Sequence, residues 1–148
     1  MLLFCFISQL AFGQEKIVTK VLVVGAGAGG TAAALQSASM GVPTILTEET
    51  TWMGGMLTSA GVSAIDGNHQ LPSGIWGNFR ERLYKYYGGP SKVETGWVSN
   101  TLFEPRIGDS IFKSMAAAQP DLTILYQHRF IKTCTAIKKL PVHYFYIW

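Results

Sequence analysis

Cysteine is scarce in this sequence, which has only Cys5 and Cys134 among its 148 residues. Two cysteines are too few for a four-cysteine zinc or iron–sulfur site. They also form no C-x-x-C pair, the spacing that redox-active dithiols use. The sequence therefore argues against a metal site and against dithiol chemistry.

Charged residues are also few, at 14% of the chain, and 12 Lys and Arg against 9 Asp and Glu give a formal charge of +3. The basic residues are spread along the sequence and do not alternate with aromatic residues. Proteins that bind nucleic acid usually concentrate basic residues on one patch or helix. No nucleic-acid partner is predicted.

The N-terminus lacks the Lys or Arg with which a signal peptide normally begins. Residues 1–13 nevertheless form an apolar run, and Ala11 and Gly13 occupy the −3 and −1 positions of a possible cleavage site before Gln14. The run indicates a signal peptide and export. The alternatives are a start site further upstream, or a buried strand in a cytoplasmic protein. The run is shorter than the about 20 apolar residues that a permanent membrane span needs.

Residues 17–48 are predicted to form a strand–helix–strand unit. The run from Ile17 to Val24 is apolar and rich in Val, as is typical of a parallel strand buried on both faces. The alanine-rich segment from Ala28 to Met40 favours a helix that Gly41 ends, and residues 42–48 favour a second strand. The fold class is therefore α/β, with a parallel sheet flanked by helices.

Beyond this unit, residues 53–69 are glycine-rich and predict a long loop. An amphipathic helix is predicted for residues 74–87, ended by the glycines and proline that follow it. A second helix is predicted from Pro105 to residue 119, because proline suits the first helical turn. The alternating segment 122–131 predicts a third strand.

The segment GAGAGG, residues 25–30, matches the pattern G-x-G-x-x-G between the first predicted strand and the first predicted helix. In this context Gly25 permits a tight turn, Gly27 lets a pyrophosphate approach the backbone, and Gly30 lets the helix pack against the strand. The amides around Ala28 and Gly29 would then point at the pyrophosphate, at the positive end of the helix dipole. The segment predicts a Rossmann-like dinucleotide site.

An acidic residue stands at the end of the second predicted strand. Glu48 can accept hydrogen bonds from both hydroxyls of the adenosine ribose, and it would repel a 2′-phosphate, which argues against NADP. Glu49 is the alternative acid, because sequence places the end of a strand only to within a residue or two.

A second glycine pair, Gly54 and Gly55, follows in the segment GGMLTS. Together with Asp66, GIWGNFRERLYKYYG at 74–88 and FEP at 103–105, this segment resembles the N-terminal part of FAD-dependent oxidoreductases, including relatives similar to the flavin-binding component of heterodisulfide reductase. The resemblance extends over nearly all of residues 18–131. It implies a Rossmann-like FAD-binding domain and hydride transfer from a substrate to the flavin. The substrate and the electron acceptor stay unassigned.

The resemblance implies that the glycine loop and its acid bind the ADP half of FAD, and that Gly54, Gly55 and Met56 lie on the flavin side. The predicted cofactor-binding residues are Gly25, Ala26, Gly27, Ala28, Gly29, Gly30, Glu48, Glu49, Gly54, Gly55 and Met56.

Four other polar residues are weaker candidates. Asp66 could be an acid near the flavin and His69 a proton shuttle, but a turn aspartate and an exposed loop histidine are the favoured interpretations. Arg80 and Arg82 could bind an anionic substrate, although a solvated helix face is favoured. No catalytic residue is assigned.

The expected organisation is a signal peptide at 1–13, the N-terminal part of an FAD-binding domain at 18–132, as the resemblance implies, and an atypical tail at 133–148, where the composition changes. A flavin site needs a substrate domain and later sequence, so we expect an N-terminal fragment of a longer flavoenzyme. The tail could come from a shifted reading frame, or it could supply one more strand. Two alternative functions are open: a non-catalytic module or nonfunctional fragment that retains only the ADP site, and an NAD-dependent dehydrogenase.

Overall fold

A computed structural model describes residues 16–67, 70–94, 99–136 and 142–147 of the chain. The predicted signal peptide at 1–13 and the candidate residue His69 lie outside the described residues. Within the described ranges, no helix has both the length and the apolar character needed to cross a bilayer.

The centre of the fold is a parallel sheet of three strands in the order β1-β2-β3. The strands are β1 (Val21–Val24), β2 (Thr44–Glu48) and β3 (Leu122–Tyr126). Strand β2 lies between the other two and is buried over its first four residues. Helix α1 (Ala28–Ser39) connects β1 to β2, which confirms the predicted strand–helix–strand unit and the α/β class.

The predicted start of the first strand at Ile17 is wrong, because β1 begins at Val21. Ile17 and Val18 are 48% and 81% exposed and do not join the sheet. Pairing with β2 begins only where Val21 meets Thr44. The first residues of the predicted strand, Ile17 and Val18, therefore precede β1 and lie on the surface.

Two further helices, α2 (Gly74–Tyr87) and α3 (Pro105–Ala117), have the predicted starts. Helix α2 also has its predicted end, where Gly88 adopts a φ of 87°. Helix α3 ends two residues before the predicted position 119, at Ala117. The two helices meet through stacked rings of Phe79 and Phe112, with centroids 4.2 Å apart.

The prediction of one strand over residues 122–131 is wrong. Strand β3 ends at Tyr126, and a separate antiparallel pair follows, formed by β4 (Phe130–Ala136) and β5 (Val142–Ile147). The break occurs at Gln127, whose φ of 60° turns the chain out of the extended conformation. Strand β5 matches the alternative of one more strand in the tail, whereas Trp148 lies outside the described residues.

The hydrophobic core lies between the sheet and the three helices. It draws on β2, all three helices and the segments that leave β1 and β2. Its most deeply buried large side chains are Leu35, Leu46, Met53, Phe79 and Leu83. The core therefore fixes the carboxyl ends of the parallel strands, where the predicted site residues stand.

Candidate functional site

The loop from β1 to α1 is shaped by two of its glycines. Gly25 adopts a φ of 87° and donates its N–H to the carbonyl of Thr47 at 2.9 Å, which ties the turn to β2. A Cβ added to Gly30 would lie 1.9 Å from the carbonyl oxygen of Gly25. Only glycine allows α1 to approach the loop this closely, so both positions serve the fold.

The other side of the loop is open. Apart from the adjoining backbone, no atom of the described residues lies within 4 Å of a Cβ added to Gly27 or Gly29, and both residues are exposed together with Ala28. No side chain caps α1, and its first turn carries no acidic residue. The first N–H groups of a helix lack intrahelical partners and carry partial positive charge. The open side therefore fits an anionic group such as a diphosphate.

The second glycine pair packs directly on this loop. Gly54 donates its N–H to the carbonyl of Ala26 at 2.8 Å and forms an isolated parallel bridge with Gly27. A Cβ on Gly55 would lie 2.8 Å from the Cα of Gly27. The two glycine segments, separate in sequence, thus form one surface at the start of α1. We call residues 25–30 together with Gly54 and Gly55 the glycine surface.

Glu48 is fixed against the glycine loop by its own hydrogen bonds. Its Oε2 accepts the N–H of Ala26 at 2.7 Å, and its Oε1 accepts the N–H and the hydroxyl of Thr50 at 2.9 and 2.8 Å. A carboxylate has about four lone-pair sites, so these three bonds leave acceptor capacity for a ligand hydroxyl. The loop contact was not foreseen from the sequence.

Glu49 and Met56 are largely exposed. The side chain of Glu49 is 66% exposed, and its Oε1 lies 3.7 Å from Nε of Arg129. Met56 is 62% exposed within the 3₁₀ turn Gly55–Leu57. The structure therefore brings Glu48, and not Glu49, against the glycine loop.

The weaker candidates are not gathered at this surface. Asp66 is exposed and precedes Gly67, whose φ of 70° fits the turn interpretation. Arg80 donates from Nη2 to the carbonyl of Leu71 at 3.0 Å. Arg82 donates from Nε to Asn78 at 2.7 Å and from Nη1 to Ser114 at 3.2 Å.

An apolar cleft of about 300 Å³ opens beside the glycine surface, between α1 and α2. It begins at Ala28, one of the predicted cofactor-binding residues. Its lining consists of apolar side chains from five segments: Ala28, Ala32, Leu57, Ile65, Leu71, Ile75, Trp76, Phe79 and Phe112. The cleft can bury an uncharged, flat or branched group next to the open amides.

Sequence reasoning missed Asp109, a buried acid on α3. Its Oδ1 accepts the N–H of Met53, the residue before the second glycine pair, at 2.8 Å. Its Oδ2 lies 2.7 Å from Nζ of Lys113. The only local signal was an acid and a lysine four positions apart on a helix, a spacing that usually marks an exposed ion pair.

A protein-family model matches residues 20–142 of the chain. The family is described as FAD dependent oxidoreductase. The chain belongs to the FAD-dependent oxidoreductase family. This match spans the glycine loop, both acids and the second glycine pair. It confirms the predicted family, and FAD is the cofactor of these oxidoreductases.

The solved structure of CabE shares the fold of this chain at low sequence identity. CabE, an aromatic hydroxylase from angucycline biosynthesis, is 18% identical with a TM-score of 0.52, over 78% of this chain and 25% of CabE. THI4 from Thermovibrio ammonificans is 14% identical with a TM-score of 0.48, over 82% of this chain and 43% of THI4. The chain thus spans less than half the length of either protein. Among curated proteins, none matches the sequence.

Proposed function

We propose that this chain binds the ADP half of FAD at the glycine surface, as part of an oxidoreductase. The observation that carries the proposal is the open cradle at Gly27 and Gly29, where no atom of the described residues beyond the adjoining backbone lies within 4 Å of an added Cβ. The pyrophosphate would accept hydrogen bonds from the amides at the start of α1, because these groups have no intrahelical partners.

Glu48 would bind the adenosine ribose. Its carboxylate is held at the end of β2 by Ala26 and Thr50, so it is oriented before a ligand arrives. One ribose hydroxyl can donate to the acceptor site that these bonds leave free, whereas a 2′-phosphate would bring negative charge against a carboxylate. We therefore expect selectivity against NADP.

Gly54, Gly55 and Met56 would lie on the flavin side. The contact between Gly55 and Gly27 supports this assignment, because it extends the cradle beyond the helix start. The apolar cleft beside Ala28 adds a surface for an aromatic ring. The chemistry that FAD supplies when bound is two-electron acceptance, as a hydride from a substrate. The residues of this chain bind and orient; none of those described is assigned to proton transfer.

The test is a titration of the purified full chain with FAD, ADP, NAD⁺ and NADP⁺. Flavin absorbance and quenching of flavin fluorescence report FAD binding, and isothermal titration calorimetry reports the binding of the other three. We expect saturable FAD binding and at least tenfold weaker binding of both nicotinamide dinucleotides, about 1.4 kcal/mol. NAD⁺ binding without FAD binding would favour the dehydrogenase alternative. A folded chain that binds ADP but not FAD would favour the non-catalytic module.

We also propose that residues 1–13 direct export. The apolar run and the small residues Ala11 and Gly13 support this. Expression of the full chain in a bacterium, followed by mass spectrometry of the secreted or periplasmic fraction, should find a chain that starts at Gln14. An intact chain that keeps Met1 and stays in the cytoplasm would contradict it.

A further inference from the structure

Asp109 is an acid buried in the interface between α3 and the segment that follows β2. Only 8% of the residue is exposed. Its Oδ1 accepts the N–H of Met53 at 2.8 Å, across 56 positions of sequence. Acids are rarely buried without a specific partner, because removing a carboxylate from water is costly. This contact is therefore a defined part of the structure.

The residue that Asp109 holds leads directly into the second glycine pair. The hydroxyl of Thr58 donates to the carbonyl of Met53, so both polar groups of the Met53 backbone are fixed by side chains. The next residue, Gly54, donates to Ala26, and Gly55 packs on Gly27. The hydrogen bond of Asp109 is therefore connected, through consecutive residues, to the contact between the glycine pair and the loop.

Lys113 completes the arrangement by pairing with the second oxygen of Asp109. Its Nζ lies 2.7 Å from Oδ2 and 5.5 Å from the centre of the Tyr126 ring. Tyr126 is the last residue of β3 and pairs in register with Glu48. One carboxylate therefore connects α3, the glycine pair and the strand end beside the predicted ribose acid.

We propose that Asp109 is a positioning residue for FAD: by holding the N–H of Met53, it sets Gly54 and Gly55 against the glycine loop in the geometry that the cofactor requires. This inference rests on the proposed function. The hydrogen-bond partners of Asp109 are Met53 and Lys113, so its effect on the cofactor is indirect.

The test compares FAD dissociation constants for the parent chain and two kinds of variant. In Asp109→Ala the acceptor is lost, and we expect FAD to bind about tenfold more weakly, the loss typical of one hydrogen bond to a charged group. In the double variant Asp109→Asn with Lys113→Gln, the side-chain oxygen of the asparagine can still accept the N–H of Met53. The second substitution removes the Lys113 ammonium, which would otherwise face the asparagine NH₂ group. We expect that double variant to stay within about threefold of the parent.

A second pair of measurements separates positioning from general stability. Met115→Ala is the matched control, because Met115 is buried on the same helix. It should lower the thermal midpoint at least as much as Asp109→Ala while changing FAD affinity less than about threefold. If Asp109→Ala does not fold, Asp109→Leu with Lys113→Met removes the acceptor without leaving a buried charge.

Amide hydrogen exchange gives a readout that needs no cofactor. Peptides that span residues 53–58 should exchange about tenfold faster in Asp109→Ala than in the parent, with peptides from α2 unchanged, and should recover in the Asn and Gln double variant. If the parent binds FAD and Asp109→Ala binds it equally well, the inference is wrong. If the parent binds no FAD, the proposed function is wrong. The exchange experiment tests Asp109 independently of FAD: unchanged exchange at residues 53–58 in Asp109→Ala would show that Asp109 does not hold this segment.

Discussion

At the scale of single residues, the glycines of the first loop separate into those that the fold needs and those that a ligand needs. Gly25 has a positive φ and Gly30 lies against the Gly25 carbonyl, so both are explained by the backbone alone. Gly27 has an ordinary φ of −58° and open space where a Cβ would be. Gly27 is the N-cap of α1, where a larger residue would also fit the backbone, so the open space beside it favours a ligand.

Gly27→Val should therefore abolish FAD binding while leaving the fold intact. The added side chain would project into the open cradle and exclude the pyrophosphate, so the dissociation constant should rise by about a hundredfold or more, roughly 2.7 kcal/mol. The free energy of unfolding should change by no more than about 1 kcal/mol, the usual effect at a helix N-cap. A flavin titration and a denaturant unfolding curve measure the two effects. Unchanged FAD affinity would mean that the site is misplaced.

Gly30→Ala should show the opposite behaviour. Its Cβ would lie 1.9 Å from the Gly25 carbonyl oxygen, so α1 and the loop would have to separate. We expect a loss of about 2 kcal/mol in the free energy of unfolding, within the range for overpacked positions. Thermal unfolding without any nucleotide measures this loss. A variant as stable as the parent would contradict the close packing of α1 on the loop.

At the scale of elements, the sequence predicted correctly those helix ends and loops that depend on residues close together in the chain. The bounds of α2 follow from its amphipathic pattern and from Gly88, and the cradle was predictable because strand, loop and helix are contiguous. The end of β3 was missed because Gln127 carries no signal for a positive φ. Asp109 was missed because its partner Met53 is 56 positions away, and only the packing of α3 brings them together.

The break after β3 gives a prediction of its own. Gln127 has a φ of 60°, a conformation that costs a non-glycine residue about 1 kcal/mol. Gln127→Gly should therefore raise the free energy of unfolding by roughly 0.5–1 kcal/mol. Gln127→Ala is the matched control, since it shortens the side chain and keeps the strain. Denaturant unfolding measures both, and equal stabilities for the two variants would contradict the strain.

At the scale of the whole molecule, the site arises from topology. The three strands are parallel, so their carboxyl ends meet at one edge of the sheet, where ligands of open α/β sheets usually bind. Gly25, Glu48 and Tyr126 follow or end β1, β2 and β3 at this edge. Helix α3 adds Asp109 there, so the edge collects two carboxylates around a partly buried tyrosine.

The burial of Tyr126, together with the two carboxylates beside it, should make stability depend on pH in the alkaline range. Burial, and to a smaller extent Asp109 and then Glu48, raises the pKa of the Tyr126 hydroxyl above its ordinary value of 10.0. Because the folded chain holds this proton more tightly than the unfolded chain, its contribution to stability is complete below pH 10.0 and is lost as pH rises through the folded pKa. Denaturant unfolding at pH about 9 and about 11 should therefore show a larger loss for the parent than for Tyr126→Phe. The two proteins differ only at this hydroxyl, so the difference isolates Tyr126. Equal losses would mean that its proton is not held more tightly on folding.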